Sequence, residues 1–190
     1  MIRKILVAGL LISGSLSFAQ SAPAAEGGAL SLWAGAEVSS FNPDWGCQSS
    51  SAVSCWNHQL EGIAVFADAN RIFGPVGMEA EARWLPWHGP DITESNYLIG
   101  PRYQVFARSR LSVNVKFLAG GATFKRAREK DWEGWSAFVP GATVGYRISR
   151  RLIVRGDYEY QRWPGFVGPR GANGLTPNGF SAGVSYRLLR

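Results

Sequence analysis

The chain has 190 residues, with 46% hydrophobic positions, 18% charged positions and a formal charge of +6. That length suits one domain, and 23 Gly, 8 Trp, 10 Phe and 6 Tyr exclude an intrinsically disordered chain. Beyond the N-terminus no apolar run reaches the roughly 18 residues of a membrane-crossing helix. The charge is too small to point to nucleic acid, the more so because Arg3 and Lys4 belong to a segment that is removed, which lowers +6 to +4.

Residues 1–19 read as a secretory signal peptide. Arg3 and Lys4 supply the positive start, residues 5–12 (ILVAGLLI) a short apolar stretch, and Ser17-Phe18-Ala19 the small residues of a cleavage site. Cleavage is expected after Ala19, with Ala24 as the second choice, leaving residues 20–190 as the mature domain. The apolar stretch is too short to anchor the chain. Export leads to an oxidising compartment, and Cys47 and Cys55, both in the polar segment 42–57, are expected to form a disulfide. Closing so short a loop contributes roughly 2–3 kcal/mol on the chain-entropy account. A redox or metal pair lacks the CxxC spacing, and the nearby histidine is His58.

The mature chain alternates apolar and polar residues, the mark of strands with two unlike faces. Eight segments carry the pattern: 30–40, 59–67, 76–85, 96–106, 111–119, 137–148, 152–161 and 179–189. In 76–85, Met78, Ala80, Ala82 and Trp84 stand opposite Glu79, Glu81 and Arg83. In 152–161, Leu152, Val154, Tyr158 and Tyr160 stand opposite Arg155, Asp157, Glu159 and Gln161. Segment 59–67 is the weakest, because Glu61 shares a parity with Ile63 and Val65. Connections 68–75, 108–110 and 149–151 are short. Connections 41–57, 86–95, 125–135 and 163–178 are long and rich in turn residues. Such a meander closes into an eight-stranded antiparallel up-and-down β-barrel, which leaves no unpaired edge.

A soluble barrel hides its apolar face and a membrane barrel hides its polar one. Three features favour the membrane barrel. Its polar parity holds Glu37, Glu79, Glu81, Asp157 and Glu159 beside Arg83, Arg102, Lys116, Arg147, Arg155 and Arg187, nearly balanced charge for an ionic network in a narrow lumen. Trp45, Trp56, Trp84, Trp87, Trp132, Trp135 and Trp163 all sit in or beside the long connections, as an aromatic girdle at one membrane boundary would. Segments of about 9–11 residues match a tilted strand crossing hydrocarbon, where closure also satisfies every backbone group.

A signal peptide, eight amphipathic strands, short turns, long loops and no further domain resemble the small eight-stranded outer-membrane β-barrel superfamily of Gram-negative bacteria, the OmpA/OmpX-like kind. The resemblance covers residues 20–190 and is architectural. It implies an outer-membrane location after Sec-type export and insertion by the barrel assembly machinery. That machinery reads a last strand of alternating apolar residues, here Phe180, Val184, Tyr186 and Leu188, although Arg190 departs from the usual closing aromatic. The peptidoglycan-binding domain of some relatives is not expected. Both termini are expected in the periplasm and the four long loops outside. A closed barrel needs no second copy.

An eight-stranded barrel is just wide enough for its side chains to fill it. The expected role is therefore structural or interactive at the cell surface, with no cofactor and no metal. A narrow ion-conducting pore is the alternative, with a lipid-modifying barrel enzyme or a soluble lipocalin-like carrier behind it. Enzymes among resembling barrels usually need His near Ser or Asp; this chain holds only His58 and His88, and Glu79 and Glu81 have no nucleophile beside them. The loop 125–135 (KRAREKDWEGW) offers Lys125, Arg126, Arg128 and Lys130 to lipopolysaccharide phosphates.

Overall fold

The computed structural model describes residues 30–44, 59–87, 92–126, 133–166 and 174–189. Its strands are β1 (Ser31–Asn42), β2 (Leu60–Phe73), β3 (Val76–Trp87), β4 (Ile92–Arg108), β5 (Leu111–Arg126), β6 (Glu133–Arg147), β7 (Leu152–Tyr160) and β8 (Asn178–Leu189). Each pairs antiparallel with its neighbours in sequence, and β8 returns to β1 to close the barrel. Among the described residues no helix is long and apolar enough to cross a membrane.

Alternation decides the wall, because successive side chains on a strand point to opposite faces. Val154 is 41% exposed and Val184 48%, whereas Glu79 is 1%, Arg102 5% and Asp157 3%. Apolar residues therefore face outward and charged ones inward, the inverse of a soluble barrel. Tyr97, Ile99, Tyr103, Phe117, Phe180 and Tyr186 continue the outward apolar band.

The strands outrun their sequence signatures. β2 extends through 68–73, where a connection was expected, and β5 continues to Arg126. Hydrogen-bonded pairing continues past the alternating segments toward the barrel's ends, where strict alternation is not required. Glu61 is such a case: it faces outward with Ile63 and Val65, at the end of β2 beside Trp87. The short connections are tight. Phe73 pairs with Val76 across Gly74-Pro75, and Gly74 adopts φ 62°, a left-handed conformation that glycine enters without a Cβ penalty. Arg108 pairs with Leu111 across a second two-residue turn. We call this the turn end and the opposite one the loop end.

Candidate functional site

Among the described residues, charged side chains converge in the lumen, and the lumen is layered. In its middle, β3 contributes Glu79, Glu81 and Arg83 at alternate positions, β7 contributes Arg155, Asp157 and Glu159, and Glu37, Asp68, Arg102 and Lys116 arrive from β1, β2, β4 and β5. Lys116 sits at the centre. Its Nζ lies 2.8 Å from Glu79, 3.3 Å from Glu81, 3.0 Å from Asp157 and 2.7 Å from Glu159. Arg83 bridges Glu81 and Glu159, each at 2.6 Å. Arg155 donates to Asp157 at 2.6 Å, Glu79 at 3.1 Å and Asp68 at 3.2 Å, forms an ion pair with Glu37 at 2.7 Å, and stacks its guanidinium 3.8 Å from the Phe66 ring centre. Arg102 pairs with Asp68 and with Glu79, and Thr143 donates to Asp157 at 2.5 Å. Close packing here needs glycine. A Cβ on Gly35 would stand 2.4 Å from the Phe66 ring and 2.2 Å from the Val184 carbonyl.

Toward the loop end the lumen turns apolar. Phe41, Leu60, Leu85, Leu98, Leu118 and Val139 point inward and are buried, joined by Phe124 and by Trp163, Phe166 and Leu175 from the segment after β7. That segment folds back over the lumen: Trp163 pairs with Leu175 through backbone hydrogen bonds of 2.9 and 3.2 Å, and Arg162 pairs with Phe138. Phe166 packs 4.5 Å from Trp135 in a tilted pair, and edge-on against Phe124 at 5.5 Å and Trp163 at 6.3 Å, centre to centre. Asn96 donates to Gln161 at 3.1 Å, and the Trp163 indole donates to the same Gln161 oxygen at 3.0 Å. Glu94 lies fully buried at this level, and both of its carboxyl oxygens lack a hydrogen-bond partner.

Several expected site residues stand elsewhere. Trp163 and Trp135 do not join a girdle. Trp163 is fully buried and Trp135 packs against the apolar layer, because the inward parity of β6 and β7 continues through both positions. Trp84 does face outward, with its indole N–H donating to the Tyr97 hydroxyl at 3.1 Å in an edge-on pair, and Trp87 is exposed. Arg147 keeps the inward parity but stands exposed at the last residue of β6, below the reach of the acids. Arg187 stacks its guanidinium 4.6 Å from the Trp33 ring centre at the same end. Lys125 is half-buried on β5. Trp45, Trp56, Trp132, Cys47, Cys55, His58, His88, Arg128 and Lys130 lie outside the described residues, as does the side chain of Arg126.

Sequence reasoning missed two things. Asp68 falls in the expected connection 68–75, yet it sits in the ionic layer. The apolar layer was also legible in outline: Leu85, Leu98, Leu118 and Val139 occupy the polar parity of their strands, so the inward face turns apolar at these positions.

No protein-family model matches the chain, and no curated protein matches it. Among solved structures it is similar to Neisserial surface protein A, with a TM-score of 0.55, 12% identity, and 83% of this chain and 96% of that one covered. It is also similar to the outer membrane protein OprG from Pseudomonas aeruginosa, with a TM-score of 0.57, 10% identity, and 86% and 98% covered. The attachment invasion locus protein Ail of Yersinia pestis follows at 0.48 and 12% identity, with 84% and 97% covered. At such identities the likeness is one of fold: the chain has the architecture of the small eight-stranded outer-membrane barrels.

Proposed function

We propose that this chain is an outer-membrane barrel that crosses the bilayer as a closed, non-conducting cylinder, with its turn end in the periplasm and its long loops at the cell surface. Its role is structural or interactive and not catalytic. The observation that carries this reading is the stacking of two side-chain layers in the lumen, a salt-bridged layer beneath an apolar one. An ion would have to break the contacts of Lys116 and then enter a medium that solvates it poorly. The same layering accounts for Glu79 and Glu81 without catalysis, since both are engaged by Lys116. Around Lys125, the basic loop meets lipopolysaccharide phosphates, and the barrel assembly machinery inserts the chain.

Planar-bilayer recording tests the reading. Purified barrel should give no steady conductance, and lipid A incubated with it should keep its mass. A discrete steady current altered by E81Q or R102Q would replace it with a narrow pore. Release of the native protein by osmotic shock without detergent would reject the membrane location.

A further inference from the structure

The turn end of the lumen is a cavity of about 460 Å³, and its lining is strongly one-signed. Arg71, Arg108, Arg110 and Arg147 stand exposed around its rim. Arg102 and Arg155 form its floor, and Arg187 lines its wall above Trp33. Against these seven guanidinium groups the lining holds one carboxylate among the described residues, Asp68, which is already paired with Arg102 and Arg155. The imbalance survives a wider count. The ionic layer and the mouth together hold nine cationic side chains and six carboxylates among the described residues. Ser112, Asn114 and Ser185 add neutral donors to the wall.

We infer that this mouth is a binding site for compact polyanions bearing phosphate groups. A concave site of this volume is in the range of small-molecule pockets. Planar guanidinium forks bind phosphate and carboxylate bidentately, and several forks around so small a space call for a ligand with much charge in little volume, which favours phosphate. Stacking contributes little, because Trp33 is buried and its accessible face is taken by Arg187. The ligand is either a soluble phosphorylated compound or the headgroup of an anionic lipid in the facing leaflet; both present the same chemistry. The site lies at the opposite end from the loops and does not depend on whether the lumen conducts.

The test uses the folded barrel in nanodiscs of zwitterionic phosphatidylcholine, titrated calorimetrically with tripolyphosphate at low salt. Saturable one-to-one binding that weakens as salt rises is expected. It should weaken roughly tenfold or more in R108A/R147A and stay unchanged in R162A, which removes an exposed arginine at the loop end. Retained heat-modifiable migration on gels checks that each variant is folded. Adding phosphatidylglycerol to the discs assigns the source: competition that disappears in R108A/R147A identifies the lipid headgroup, and unchanged affinity identifies a soluble ligand. Absence of saturable binding, or equal loss in R162A, overturns the inference.

Discussion

Replacing Lys116 with Met should be the most damaging single change in the ionic layer. Met keeps the length of the side chain and removes its charge, so four carboxylates within 3.3 Å lose their shared cation. At an effective dielectric constant of about 20, each unit pair near 3 Å is worth about 5 kcal/mol, so the gross attraction is on the order of 20 kcal/mol. Desolvation of the ammonium and repulsion among the acids offset most of that. Arg83 still reaches Glu81 and Glu159, and Arg155 still reaches Glu79 and Asp157, so no acid is left wholly unpaired. The net loss should therefore resemble that of other broken buried pairs, about 3–5 kcal/mol. E81Q is the informative control. Six acids face four cations in this layer, so neutralising one acid relieves repulsion and should shift stability by about 1 kcal/mol or less. Denaturant titration in micelles, followed by heat-modifiable gel migration, measures both. If K116M falls within about 1 kcal/mol of the parent, or E81Q is as damaging as K116M, Lys116 is not the keystone of the layer.

Other substitutions probe the remaining layers. E94L should raise stability by about 1–3 kcal/mol in the same titration, since both buried carboxyl oxygens lack hydrogen-bond partners; a loss would show that the carboxyl is satisfied. W163A should lower stability by about 3–5 kcal/mol by emptying the centre of the apolar layer, yet bilayer recordings should stay silent because the ionic layer below remains; a steady current would locate the seal in the apolar layer alone. V184K places an ammonium on the outward face in the middle of β8, and refolding into vesicles should lose about 2–4 kcal/mol. An unaffected yield would mean that this face does not meet hydrocarbon.

Period-two alternation carried much of the fold. It located all eight strands, because a residue's face depends only on its own position along a strand, and Val154 opposite Arg155 reads the same in the sequence as in the barrel. The boundaries were less legible: β2 runs on through Asp68 to Phe73 because pairing with β3 continues after the alternation fades. The aromatic residues misled where position along the chain stood in for orientation. Trp163 lies beside a long connection, as a girdle residue would, but its parity turns it inward beneath Phe166.

Strand identity and the division of each strand into an apolar and a charged face were thus determined by the sequence alone, being local properties of alternation. Only the tertiary structure decided height in the lumen. Which inward residues meet depends on the register of eight strands at once, and that register brings Arg155 to Asp68 across 87 positions of sequence. It gathers the acids around Lys116, lifts Leu85, Leu98, Leu118 and Val139 into a separate apolar layer, and leaves arginines ringing the mouth below. Faces follow from each strand by itself, whereas layers exist only once the cylinder has closed.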